Sequence, residues 1–146
     1  MCLFPNRKTL LNNFSLCENQ EDRYIYLIEL GKKLPIIEEN LKTNNNRVFG
    51  CQSYTWIFLE FEKNKLKKIV GDSDSLIVKG LIVVLAILFK DMTLRKILEN
   101  KNKNFFHKLS LYKDLTPSRN QGLYLMIEFI HSKIRKFIFY SKEKNL

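Results

Sequence analysis

One cysteine stands where it could do chemistry. Cys51 lies in Phe49-Gly50-Cys51-Gln52-Ser53, where a polar stretch gives way to a β-rich one. A thiol that ionises becomes a nucleophile and can enter thiol exchange. Gly50 frees the backbone for an unusual turn and for close approach of another chain. Gln52 and Ser53 could donate hydrogen bonds near the sulfur, although ordinary backbone bonding explains them equally well. Spacing alone favours the plainer reading of Cys51 as an ordinary buried cysteine, since free cysteine is among the most buried residue types.

Other chemistries lack their residues. There is no GxSxG, no HExxH and no Walker loop, and Gly71 and Gly80 do not make a phosphate cradle. Neither His107 nor His131 has a recognisable nucleophile motif beside it in sequence; both read as surface or interfacial residues. The three cysteines, Cys2, Cys17 and Cys51, form no CxxC pair and are too few for a disulfide framework in 146 residues. No metal site is expected, and free thiols fit a reducing compartment.

The formal charge of +10 invites a nucleic-acid reading. Lysine outnumbers arginine 19 to 6, however, and the charges are spread along the chain. Nucleic-acid sites favour the planar arginine fork, which is scarce here, so no nucleic-acid partner is expected. The longest apolar run, Leu81 to Phe89, is nine residues. That is about half of a membrane span. The N-terminus carries no apolar run of signal-peptide length. The expectation is a cytoplasmic protein with no membrane partner.

The elements that must position Cys51 can be read from periodicity. Leu10, Leu11 and Phe14 mark a helix over Asn6 to Leu16, and Tyr24, Leu27, Ile28 and Leu34 mark one over Gln20 to Leu34, stopped by Pro35. Ile36, Ile37 and Leu41 allow one further turn, and Asn44-Asn45-Asn46-Arg47 signals a polar turn. Gln52 to Glu62 is β-branched and aromatic, Lys63-Asn64-Lys65 reads as a turn, and Leu66 to Val70 as the returning strand. Val48-Phe49 could add a short strand on the other side of Cys51. Lysines 63, 65, 67 and 68 suit a solvated hairpin edge, and Trp56 reads as core.

Gly71 to Ser75 offers several helix caps before the apolar helix Leu76 to Phe89, and Thr93 can cap a short helix through Glu99. Asn100 to Asn104 reads as loop and Phe105 to Leu111 as one or two helical turns. The last helix starts at Thr116-Pro117 and buries Leu123, Ile127, Ile130, Ile134 and Phe137. The fold class is therefore α+β: one domain over residues 1–146, with a small antiparallel sheet of about three strands packed against several helices.

Three blocks together resemble the SufE family. They are Gly50-Cys51-Gln52-Ser53 with Trp56; Gly71-Asp72-Ser73-Asp74 running into Ile77-Val78-Lys79-Gly80-Leu81; and Leu115-Thr116-Pro117-Ser118-Arg119 followed by Gln121-Gly122-Leu123. They are ordered and spaced as in that family and cover the chain from about Val48 to Ile130. The chain departs from the pattern at Tyr54, where a smaller or polar residue is more usual, and at His107, where an acidic residue is frequent; Cys2 and Cys17 are extra thiols.

The resemblance implies a sulfur acceptor for a SufS-type cysteine desulfurase. Cys51 would take sulfur as a persulfide, stimulate the desulfurase, and pass sulfur to a SufBCD-like iron–sulfur assembly scaffold. Pyridoxal phosphate would belong to the desulfurase, with no cofactor on this chain. Gly50, Gln52, Ser53, Asp74 and Arg119 would support the thiol, Arg119 by stabilising a thiolate or by pairing with Asp74. A plain structural salt bridge is the alternative for Arg119. Asp72, Ser73 and Asp74 would be caps and turn residues first and a docking rim second. The resemblance leaves room for a homodimer, for a CsdE-type acceptor serving a CsdA-type desulfurase, and for an adaptor that stimulates a desulfurase without carrying sulfur.

Overall fold

The computed structural model describes residues 4–99 and 115–144. The expected loop at Asn100–Asn104, the expected turns at Phe105–Leu111, and His107 and Cys2 lie outside the described residues.

Side-chain caps set where the helices begin. Asn6 accepts from the Thr9 amide at 2.8 Å and opens α1, Arg7–Ser15; Asn19 accepts from the Asp22 amide at 2.8 Å and opens α2, Gln20–Gly31. Glu21 and Asp22 in the first turn of α2 favour the helix dipole. The second helix stops at Gly31, three residues short of the expected Leu34, and the chain turns through Lys32–Leu34 before Pro35. Two short 3₁₀ turns follow, Glu39–Leu41 and Asn44–Asn46.

The sheet is a hairpin. β1, Thr55–Glu62, pairs antiparallel with β2, Lys65–Ser73, in the register Thr55↔Ser73 to Glu62↔Lys65. Lys63 takes a positive φ of 57° at the turn. Among the described residues the sheet has two strands, not about three. The expected third survives as a single bridge, Arg47↔Trp56, beside a 2.9 Å bond from the Val48 amide to the Thr55 carbonyl. The strand also starts at Thr55 rather than Gln52, because residues 51–54 are drawn aside into the cysteine loop.

At the other end, β2 runs three residues beyond the expected Val70. Gly71, Asp72 and Ser73 keep pairing with Ile57, Trp56 and Thr55. The buried Thr55 and Ser73 hydroxyls bond each other at 3.1 Å and secure that end. Of the candidate caps, Ser75 is the one used: its hydroxyl accepts from the Val78 amide at 3.3 Å and opens α3, Leu76–Phe89.

Ile77, Leu81, Leu85 and Phe89 of α3 belong to the central core, against Leu27 and Leu30 of α2 and Ile57, Leu59 and Ile69 of the hairpin. Thr93 caps α4, Leu94–Glu99, accepting from the Lys96 amide at 3.2 Å. Thr116 does the same for α5, Pro117–Lys144, accepting from Arg119 at 3.3 Å. Of the expected α5 stripe, Leu123, Ile130 and Ile134 are buried and Ile127 and Phe137 partly so; Met126 joins them.

Two single-residue expectations change. Trp56 is not core: it points to the outer face of β1, stacked on Tyr54 with ring centroids 6.3 Å apart and with the Lys42 ammonium 5.4 Å above it. His131 is half-buried rather than superficial. Its Nε2 is enclosed without a hydrogen-bond partner among the described residues, and burial pushes its pKa below the ordinary histidine value.

Candidate functional site

The turn before Cys51 is made by Gly50, at φ 91°, a left-handed conformation that a side chain would strain. A Cβ there would also press on Leu125 of α5 at 3.1 Å. The loop thus lies close against α5 and turns the thiol toward it. Cys51 is half-buried. Its Sγ lies 3.9 Å from the Gly122 carbonyl, with geometry for a weak S–H donation.

The thiol opens onto a cleft of about 230 Å³. Cys51, Gln52 and Ser53 line one side, Ser75 and Val78 at the start of α3 another, and Thr116, Ser118, Arg119 and Gly122 of the α5 start close it. A more apolar cavity of similar size beside Phe4, Ala86 and Phe89 contains none of these residues.

Burial pushes the Cys51 thiol above its ordinary pKa. At rest the site therefore holds a protonated thiol, screened from bulk water but reachable through the cleft.

The structure sorts the expected site residues. Gly50, Gln52, Ser53 and Arg119 gather around Cys51, and Asp74 does not line the cleft. Gln52 and Ser53 make no hydrogen bond to sulfur among the described residues; the Ser53 carbonyl instead accepts from Thr55 Oγ1 at 3.4 Å. Arg119 forms neither the expected pair with Asp74 nor another salt bridge among the described residues. Its guanidinium lies 5.6 Å from the centre of the Tyr24 ring, a cation–π contact that ties the start of α5 to α2. Asp74 is exposed, and its amide bonds the Tyr54 carbonyl at 3.2 Å.

Asp72 is an ion-pair hub rather than a cap, with Lys42 at 2.9 Å and Lys79 at 3.5 Å. Burial would raise its carboxyl, but hydrogen bonds from Lys42 and the Ser73 amide outweigh that and hold it below the ordinary value. Cys17 sits outside the cleft, between α1 and α2, with its thiol bonded to the Asn13 carbonyl at 3.5 Å.

Gly122 gives the site its room, and spacing did not single it out. A Cβ there would lie 3.5 Å from Cys51 Sγ, an ordinary contact, and would meet nothing else within 4 Å. The available signal was a glycine inside an otherwise regular helical stripe. Gly122→Ala should therefore raise stability by about 0.5–1 kcal/mol through helix propensity, measured by urea melts. The same methyl narrows the approach to sulfur, so mass-resolved alkylation of Cys51 should slow. Unchanged alkylation would mean reagents reach the sulfur from another side.

Residues 8–134 match the family model described as SufE: Fe-S metabolism associated domain. The chain is 46% identical over 143 residues to a protein of Wigglesworthia glossinidia brevipalpis named "Cysteine desulfuration protein SufE", covering 98% of each chain. In three dimensions it is similar to the solution structure of a hypothetical protein from Thermus thermophilus, with a TM-score of 0.72. That likeness spans 94% of this chain and 99% of the other at 23% identity, and it bears on the fold.

Proposed function

Because the chain belongs to the SufE family, we propose that it accepts sulfur from a SufS-type cysteine desulfurase, on Cys51 and as a persulfide. One observation carries this reading. Three blocks far apart in sequence, around Cys51, Ser75–Val78 and Thr116–Gly122, converge on one cleft, and that cleft holds one thiol.

The desulfurase presents its own cysteine as a persulfide. The Cys51 thiolate attacks the terminal sulfur, the S–S bond of the donor breaks, and the donor cysteine leaves as a thiolate. A new S–S bond on Cys51 replaces the old one, so no net oxidation occurs. The proton of the resting Cys51 thiol must leave first. Displacing the loop from the Gly122 carbonyl would assist that step by relieving the burial that raises the pKa. The cleft beside Sγ offers room for the second sulfur.

Pyridoxal phosphate chemistry is assigned to the desulfurase and none to this chain. The sulfur then goes to an iron–sulfur assembly scaffold of the SufBCD type, and removal of the desulfurase persulfide accounts for stimulation of that enzyme. A CsdA-type donor fits the same chemistry; side-by-side titration with both desulfurases separates the two.

The direct test is mass spectrometry after incubation with a cognate desulfurase and cysteine. One added sulfur, mapped to Cys51 and removed by reductant, is the expected result. Sulfur on Cys17 alone, or on no residue, overturns the reading.

A further inference from the structure

Tyr54 departs from the SufE pattern, and its ring has a defined partner. The Arg47 guanidinium lies 4.5 Å from the centre of the Tyr54 ring and 5.0 Å from that of Phe49. Those two rings stand on opposite sides of Cys51 in the chain, and both are more than half exposed, Phe49 at 58% and Tyr54 at 54%. Arg47 has no salt bridge among the described residues, so the rings are what its charge faces. The base of the loop is closed by backbone, through the Arg47↔Trp56 bridge and the Val48 to Thr55 bond. Tyr54 also stacks on Trp56, whose outer face carries Lys42.

We infer that Arg47 is a positioning residue for Cys51: held between Phe49 and Tyr54, it latches residues 49–54 closed and keeps the thiol against Gly122. The latch joins residues on both flanks of the cysteine, and Gly50, at positive φ between Phe49 and Cys51, supplies the point about which the loop can open. Exposed cation–π contacts are individually weak. A docking surface that offered either ring a better partner would therefore release the loop, and the thiol would leave its burial only when an acceptor step is due. This deepens the carrier reading and rests on it for its purpose, but the geometry can be tested without a desulfurase.

The test is the rate at which iodoacetamide alkylates Cys51 in the folded protein, resolved by peptide mass from Cys2 and Cys17. Arg47→Ala should raise that rate by about three- to tenfold. Arg47→Lys, which keeps a cation, should restore part of the protection. Tyr54→Gln should give a smaller rise, and adding it to Arg47→Ala should add nothing, because both remove one device.

The sign is diagnostic. Were Arg47 instead a cation that favours the thiolate, its removal would slow alkylation. A slower or unchanged rate in Arg47→Ala, or additive effects in the double variant, overturns the latch. Failure of Cys51 to acquire sulfur beside a desulfurase would overturn the carrier reading while leaving the alkylation result standing.

Discussion

Cys51→Ser will fold normally and lose sulfur uptake outright. The thiol is half-buried and its one hydrogen-bond contact among the described residues, the Gly122 carbonyl at 3.9 Å, is weak, so little is lost with it, and a serine hydroxyl can turn to the open cleft. The stability change should stay within about 1 kcal/mol. With a desulfurase and cysteine present, the wild-type chain should gain one sulfur and the variant none. Cysteine turnover should fall to the rate of the desulfurase alone. A non-covalent adaptor would keep its stimulation in Cys51→Ser, so retained stimulation refutes the carrier.

The same site predicts a pH dependence. Burial holds the thiol above its ordinary pKa, so the alkylation rate of Cys51 should still be climbing at a pH where the urea-unfolded chain has levelled off. The folded state favours the neutral thiol. Its contribution to stability is therefore complete below the unfolded pKa and is lost as pH rises through the folded one. Coincident profiles for folded and unfolded chains would show that the burial is not felt by the sulfur.

Much of this arrangement was legible before any coordinates. Ser75, Thr93 and Thr116 announce helix starts through chemistry confined to three or four residues, and each performs as a cap; Asn6 and Asn19 do the same without having been read as caps. The apolar helix Leu76–Phe89 is visible because nearly every side is buried. What escaped depends on partners distant in the chain. β2 continues through Gly71–Ser73 because β1 offers it Thr55–Ile57, which turn-forming residue types do not disclose. Trp56 faces outward because strand alternation, once Thr55 and Ile57 are buried, leaves it no other side.

Pairing with Asp74 was one of two roles the resemblance offered Arg119, yet Arg119 meets an aromatic ring on α2 and Asp74 faces solvent. The cysteine itself was found by likeness to a family motif, not by spacing. Composition cannot say that Gly122, 71 residues further on, would supply both the carbonyl against its sulfur and the space beside it.

Gly80→Ala should be a damaging change despite its small size. In an exposed helix interior the substitution would gain up to about 1 kcal/mol of helix propensity. At position 80 the added carbon would fall inside contact distance of the Leu27 carbonyl, with the Leu27 Cα at 3.0 Å. These are backbone atoms of a neighbouring helix and cannot rotate away. Gly31 faces the same seam from α2, where a Cβ would meet the Gly80 nitrogen at 2.9 Å. The two helices can separate only by opening the core that Leu27, Leu30, Leu81 and Val84 fill.

Overpacking of this kind costs about 3 kcal/mol, so the net loss is roughly 2 kcal/mol after the propensity gain. It would be read as a lower urea midpoint at unchanged slope. Gly122→Ala, the same chemical change in a helix with free space, should move the midpoint the other way. The contrast isolates space from backbone freedom, because propensity favours alanine at both positions. Sulfur uptake by Gly80→Ala should fall no further than its folded fraction, since the side chains at the mouth of the cleft, Ser75 and Val78, lie at the start of α3 and keep their identities. If Gly80→Ala proved as stable as the wild type, the seam between α2 and α3 would be able to widen without cost.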